Sequence, residues 1–116
     1  MISLLLLNHR PAPNVAVQPT VVIRRWQIVK TTLGEELLAG MLPSGYTWRV
    51  TTPITSFNAS TRCVTTTSGR VYKLVGPSAV DDLDLLVIDA NFALNYVGPA
   101  EDKSGVYAQA MAGAVN

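Results

Sequence analysis

Short runs of alternating apolar and polar residues predict that residues 21–77 form a β core of consecutive strands. The clearest run is 65–77, where β-branched and apolar residues flank the small residues Ser68 and Gly69. Ser-Gly tolerates the positive φ angles of a tight turn, so this segment predicts an antiparallel hairpin. We expect Gly76 and Pro77 to end its second strand, because proline has no amide hydrogen to give to a ladder.

Three earlier runs, at 21–31, 36–42 and 46–55, are further candidate strands. In the third, Trp48 and Val50 alternate with Arg49 and Thr51, which predicts large side chains on one face and polar side chains on the other. Pro53 is expected to mark a bulge or an edge. Four to five short antiparallel strands at this spacing predict a small barrel or a strongly bent sheet.

The period of the pattern changes after Pro77, where segment 78–98 predicts one helix over about 80–97. The apolar positions at helical spacing are Leu83, Leu86, Val87, Ala90, Leu94 and Val97. Ser78 or Asp81 would cap this helix, and Gly98-Pro99 would stop it. The run from Leu85 to Ala90 would also suit a strand, but the helix is the favoured interpretation. The predicted fold is therefore mainly β, of the α+β type, with one helix on the C-terminal side.

The two ends of the chain complete a single predicted domain over 1–116. Residues 1–9 predict an apolar strand, and residues 10–20, which contain three prolines, predict an extended connector. The tail over 99–116 combines a polar loop with an Ala-rich stretch that fits a short helix, a frayed end or an oligomer contact. The apolar run Leu4 to Leu7 is too short to span a bilayer, and no signal-peptide pattern surrounds it. We therefore expect a cytoplasmic protein with no membrane partner.

The composition of the chain suggests that the protein associates with a partner. Hydrophobic residues make up 48% of the chain and charged residues only 15%, against about 25% charged in an average soluble domain. So little charge predicts that part of the surface is buried against a second copy or another protein. A Thr-rich polar surface is the alternative interpretation.

Charge also narrows the class of partner. Nine basic and eight acidic residues do not provide the dense positive footprint that nucleic acids require, so nucleic acid is not an expected partner. Basic residues nevertheless recur on neighbouring predicted strands. We take Arg24, Arg49, Arg70 and Lys73 as a candidate interaction face, with a solvated sheet face as the alternative.

No motif predicts a catalytic, metal or cofactor site. Cys63 is the single cysteine, so neither an intrachain disulfide nor a CxxC metal site can form. His9 is the single histidine and precedes a proline-rich segment. The acidic residues from Asp81 to Asp89 lack the pattern of a calcium-binding loop, and no glycine-rich phosphate motif is present. The sequence therefore favours a non-enzymatic protein without a cofactor.

The segment 26–77 resembles a group of small proteobacterial proteins, many of them carried by mobile elements, that share a hairpin close to TSGRxYxLxGP. The matching residues are Trp26, Gly34, Glu35, Gly40, Thr52, Pro53, Ile54, Phe57 and the run 67–77. Members of the group continue with a Tyr-Val-Trp helix and a later Trp, whereas residues 84–96 here contain no Trp. The resemblance implies a bacterial or phage mobile-element setting and no activity.

Three classes of function fit these features. The favoured one is a small non-enzymatic interaction or accessory protein that acts through protein contacts, as a homo-oligomer or on a larger partner. The second is a structural subunit of a virion or other assembly. The third is a small-molecule binder or enzyme with a pocket between the barrel and the helix.

Overall fold

The computed structural model describes residues 14–16, 18–43, 47–94 and 100–114. Within these residues the chain forms seven strands and two helices. The strands are β1 (Thr20–Thr31), β2 (Glu36–Met41), β3 (Trp48–Val50), β4 (Ile54–Asn58), β5 (Cys63–Thr66), β6 (Val71–Ser78) and β7 (Ala100–Asp102), and the helices are α1 (Asp82–Leu94) and α2 (Ser104–Ala114). The strand predicted over 1–9, most of the connector over 10–20 and the helix stop at Gly98-Pro99 lie outside the described residues.

The strands form one open mixed sheet in the order β3-β2-β1-β6-β5-β4, with β7 also paired to β1. The mainly β, α+β class is therefore confirmed, but the closed barrel is wrong. The all-antiparallel arrangement is wrong as well, because β1 and β6 pair in parallel. This pairing follows from the path of the chain, since β3 and β4 run in the same direction on opposite edges of the sheet.

Residues 51–53 connect these two edges. The single strand predicted over 46–55 is therefore interrupted near Pro53, and its two parts belong to β3 on one edge and β4 on the other. The Thr51 N–H donates to the Leu38 carbonyl of β2 over 2.8 Å. The Pro53 carbonyl accepts from the Thr67 N–H, beyond β5, over 2.9 Å. The sheet therefore curves around an inner face, but its edge strands β3 and β4 do not pair with each other.

The hairpin predicted over 65–77 is confirmed as β5 and β6, and β1 and β2 form a second hairpin with the same kind of turn. In the first turn the Gly34 N–H donates to the Thr31 carbonyl over 2.9 Å, and in the second the Gly69 N–H donates to Thr66 over 2.8 Å. The two glycines have φ angles of 86° and 87°. Both turns read Thr-Thr-x-Gly, and glycine takes this left-handed conformation without a steric cost.

Two neighbouring bulges interrupt the pairing of β1. Its ladder with β2 shifts between Arg24 and Gln27, where Arg25 has a φ angle of 48°. The ladder with β6 shifts around Gly76-Pro77, and β6 continues to Ser78 instead of ending at these residues as predicted. The bulge adds one residue to β1, so odd-numbered side chains face inward before it and even-numbered ones after it. Four apolar side chains therefore lie on the inner face: Val21, Ile23, Trp26 and Ile28.

The sheet is covered by helices on both faces. On the inner face, α2 contributes Tyr107 and Met111 to a cluster around the fully buried Trp26. On the outer face, α1 contributes Ile88 and Phe92 to a second cluster built on β1 and β2. Two apolar layers thus lie on either side of one sheet.

Helix α1 confirms the helix predicted over about 80–97, but the predicted apolar stripe is wrong. Asp81 caps α1, because its Oδ1 accepts the Leu83 N–H over 2.9 Å. The buried residues of α1 are Asp84, Val87, Ile88, Asn91 and Phe92, so Val87 alone of the predicted stripe is buried among the described residues. Asp84 pairs with Arg25, and the Asn91 Nδ2 donates to the Val87 carbonyl over 2.8 Å. These partners allow both polar side chains to face the sheet.

Over residues 100–114 the tail is a strand and a helix, so the Ala-rich stretch is the short helix among the predicted alternatives, and an oligomer contact there stays a prediction. The Lys103 N–H donates to the Ile28 carbonyl over 2.7 Å, and the Ile28 N–H donates to the Ser104 Oγ over 2.9 Å. Further along α2, the Tyr107 hydroxyl donates to the Glu36 carboxylate. Burial raises the pKa of the Tyr107 phenol well above its ordinary value of 10.0, and the hydrogen bond and the charge of Glu36 raise it further.

Candidate interaction surface

The structure does not bring the four predicted site residues together on one face. Arg24 and Lys73 are exposed on the outer face of the sheet, beside Val75 and Val22 in the paired strands. Arg49 and Arg70 lie on the inner face and are 9% and 3% exposed. Arg24 therefore lines an outer cleft and Arg49 and Arg70 line an inner cavity, whereas Lys73 lines neither.

Arg49 is buried although the predicted alternation of residues 46–55 placed it with the polar side chains. In the ladder between β2 and β3, Arg49 lies opposite Gly40. Strand alternation turns Arg49 to the inner face, where its Nη1 donates to the Gln18 Oε1 over 3.1 Å. Trp48 and Val50 are half-buried and pack instead on the outer cluster beside α1.

The outer cleft lies where the two bulges meet the start of α1 and has a volume of about 640 Å³. Arg24 and Arg25 line one wall, Pro77 lies at the bulge of β6, and Val80, just before α1, and Leu83, within α1, line the cleft on the helix side. The carbonyl of Gly76 accepts the Trp26 Nε1 over 3.1 Å and an Arg62 amino group over 2.9 Å. These bonds anchor the floor of the cleft to the buried core.

The wall formed by α1 is apolar on the side that faces away from the sheet. Val80, Leu83 and Leu86 are 81%, 64% and 52% exposed. Leu83 and Leu86 are three residues apart on α1 and are therefore neighbours on its surface, and Val80, which precedes the helix, lines the same cleft as Leu83. We call these three residues the outer strip. Sequence reasoning assigned Leu83 and Leu86 to the core and did not single out Val80.

Charges of opposite sign flank the outer strip. The Arg25 guanidinium lies 3.2 Å from the Asp84 carboxylate, which is the better buried of the two. Arg24 is exposed on the sheet side of the cleft, and Asp82 is exposed in the first turn of α1. The cleft beside the strip therefore holds Arg24 and Arg25 together with Asp81 and Asp84, and Asp82 adds an exposed carboxylate in the first turn of α1.

The inner cavity has a volume of about 370 Å³ and lies at the start of β6. Arg49 and Arg70 both line it and both contact Gln18. The Arg49 Nη1 donates to the Gln18 Oε1 over 3.1 Å, and the Arg70 Nε donates to the Gln18 backbone carbonyl over 2.8 Å. Ser68 and Thr52 bring hydroxyl groups to the same cavity.

The described residues show neither a cluster of His, Cys, Asp and Glu that could hold a metal ion nor a helix long and apolar enough to cross a membrane. Cys63 is half-buried, and its thiol lies 3.5 Å from the Thr61 carbonyl. The two surfaces are thus built from arginines, hydroxyl groups and exposed apolar side chains. Comparison of the chain with protein-family models, with curated proteins and with solved structures found no match.

Proposed function

We propose that this protein is a small non-enzymatic interaction protein that associates with a second copy of itself through the outer strip. One observation carries the proposal. Helix α1 turns Asp84 and Asn91 toward the sheet and leaves Leu83 and Leu86 exposed to solvent. A helix that only packs on its own sheet would bury its leucines and expose its polar residues. A contiguous apolar strip beside a cleft is a typical protein-binding surface.

The charges around the strip favour a second copy as the partner. In a two-fold contact whose axis runs along the strip, opposite sides of the strip meet, so Arg24 of one copy faces the acidic side of α1 in the other copy, and the reverse. Asp82 supplies that acidic side. A net charge of +1 adds almost no repulsion between the copies.

The accessory role in a bacterial or phage mobile element and the cytoplasmic location are parts of the same proposal. The resemblance of residues 26–77 supports the first, and the single cysteine is compatible with the second. The genes that flank the native coding sequence test this part. Mobility or phage genes beside it would support the role, and a conserved metabolic operon would contradict it.

The association is tested by measuring the mass of the protein in solution over a range of concentrations. We expect a reversible dimer. Each buried leucine contributes roughly 1.5–3 kcal/mol, so Leu83→Glu with Leu86→Glu should weaken the dimer at least about tenfold. Leu33, at the tip of the first hairpin, is 85% exposed, so Leu33→Glu is the matched control and should leave the mass unchanged.

A charge exchange identifies the partner. Arg24→Glu and Asp82→Arg should each weaken the dimer, because each places like charges across the contact. In a dimer of the double variant both partners carry both changes, so opposite charges again face each other. A different partner protein would not carry these changes, so recovery of the dimer indicates self-association. A wild-type protein that stays monomeric at every concentration would contradict the proposal. A mass well above a dimer would favour the assembly subunit instead.

A further inference from the structure

The bulge at Gly76-Pro77 is a wall shared by two cavities. On its outer side it lines the outer cleft, and on its inner side it lines a smaller cavity of about 300 Å³, which we call the rear cavity. Trp26 and Met111 also line the rear cavity, and both belong to the buried inner cluster. Among the described residues of this lining, Arg62 alone is charged. A contact that holds the bulge from the inner side therefore also sets one wall of the outer cleft.

Arg62 bonds to β6 on both sides of Val75. Its Nε donates to the Leu74 carbonyl over 2.8 Å, and its Nη2 donates to the Gly76 carbonyl over 2.9 Å. Its own carbonyl accepts the Leu74 N–H over 2.9 Å. Since β5 begins only at Cys63, the guanidinium continues the pairing of β5 with β6 as far as the bulge. Hydrogen bonds from a charged donor are stronger than those between neutral groups.

The backbone at Arg62 has a conformation that favours glycine. Its φ angle is 62°, in the left-handed region, at the end of the link over 59–62 between β4 and β5. A glycine would form the same turn without a steric cost, but the carbonyl groups of Leu74 and Gly76 would lose these two donors. What the arginine contributes at this position is therefore its side chain.

The other contacts of the bulge centre on Trp26. The Gly76 carbonyl accepts the Trp26 Nε1 over 3.1 Å, and the Ala79 N–H donates to the Trp26 carbonyl over 2.7 Å. A Cβ atom added to Gly76 would meet nothing within 4 Å, so close packing does not restrain that residue. The bulge is thus held by hydrogen bonds from Arg62 and Trp26.

We infer that Arg62 is a positioning residue for the outer cleft and thereby sets the affinity of the outer strip for a second copy. This inference rests on the proposed function. Arg62 lines neither the cleft nor the strip, so it acts through Gly76 and Pro77, which line the cleft together with Val80 and Leu83. A surface that is fixed before association loses less conformational freedom when two copies meet, which favours binding.

The test is Arg62→Gly in the full chain, because glycine suits the φ angle of 62° and removes only the side-chain bonds. We expect the dissociation constant of the dimer to rise about two- to thirtyfold, the range for a residue that affects binding without touching the partner. In the monomer at low concentration, the NMR signal of the Trp26 indole N–H should shift and exchange faster with solvent, because its acceptor at Gly76 is less firmly held. Lys73→Gln removes an exposed charge that lines neither cavity, so this control should leave both measurements unchanged.

The outcomes separate this inference from the proposed function. A wild type that stays monomeric at every concentration would overturn the proposed function and the inference with it. A wild-type dimer with the same dissociation constant in Arg62→Gly would overturn the inference alone, as would a weaker dimer with an unchanged Trp26 signal. Equal weakening by Lys73→Gln would also contradict it, because charge alone would then explain the effect. Should Arg62→Gly fail to fold, Arg62→Lys keeps the charge but not the planar pair of donors, and an unchanged dissociation constant in that variant would contradict the inference.

Discussion

Gly40 lies where the backbone of β1 approaches β2 too closely for a side chain. A Cβ atom added there would lie 2.8 Å from the Arg24 carbonyl oxygen and 2.8 Å from the Ile23 Cγ1. The first of these atoms belongs to the bulged backbone and cannot rotate aside. The bulge of β1 and the glycine of β2 therefore form a matched pair.

We predict that Gly40→Ala lowers the free energy of unfolding by about 1–3 kcal/mol, the usual range for overpacking of a core. Urea unfolding followed by tryptophan fluorescence measures the change. Gly113 of α2, where an added Cβ would meet nothing within 4 Å, is the control. Because alanine favours helix, Gly113→Ala should be neutral or stabilising. A Gly40→Ala variant as stable as the wild type would contradict the close approach.

Single residues also show where reasoning from the sequence stops. The four cations were visible as candidates, but their faces depend on register. Arg25 adds a residue to β1 at a bulge, and a one-residue shift moves every later side chain to the other face. Arg49 is buried on the inner face, where it bonds to Gln18, 31 residues away in the sequence, and no local pattern reveals this contact.

At the scale of elements, the sequence of α1 contains two different sets of residues at helical spacing, and either set could face the sheet. Leu83, Leu86 and Val87 fit helical spacing, but so do Asp84, Val87 and Ile88. Hydrophobicity alone favours the first set. The second is buried because Asp84 meets Arg25, far away in the sequence, and because this rotation places Ile88 and Phe92 on the outer cluster. The position of the helix was therefore predictable, but its orientation was not.

Helix α2 is bonded to β2 through the Tyr107 hydroxyl and the Glu36 carboxylate. This bond makes the free energy of unfolding depend on pH in the alkaline range. The unfolded chain releases the Tyr107 proton near pH 10, whereas the folded protein holds it at higher pH. Above about pH 10 the unfolded state therefore binds fewer protons, and the free energy of unfolding falls, with a limiting slope of about 1.4 kcal/mol per pH unit. This stabilisation is complete below the unfolded pKa and is lost as the pH rises.

Tyr107→Phe should lower the free energy of unfolding by about 1.5–3 kcal/mol at neutral pH, since it removes a hydrogen bond to a charged group. The difference from the wild type should shrink above about pH 10, where only the wild type has the Tyr107 proton to lose on unfolding. Urea unfolding at a series of pH values measures both curves. Glu36→Gln removes the charge but not the burial that raises the pKa most, so the loss of stability should level off at a lower pH than in the wild type. Curves that stay parallel through this range would contradict the coupling.

At the scale of the whole molecule, the local parts of the fold were predictable and their assembly was not. Both hairpins follow from Thr-Thr-x-Gly turns, whose chemistry lies within a few residues. The parallel pairing of β1 with β6, by contrast, depends on where the chain leaves one edge of the sheet and joins the other. Pro53 marks that crossing, but the sequence indicated only a bulge or an edge there.

The parallel pair at the centre of the sheet has a consequence for the speed of folding. Thr20 pairs with Val71 and Ile23 with Leu74, so the first half of β1 must wait until β2 to β5 have been placed. Non-local pairing of this kind slows folding to roughly milliseconds or longer, and apolar strands exposed meanwhile favour aggregation. Stopped-flow dilution from urea should show refolding in that range, with a yield that falls as protein concentration rises. Microsecond refolding would mean that β1 and β6 meet far earlier than their separation along the chain implies.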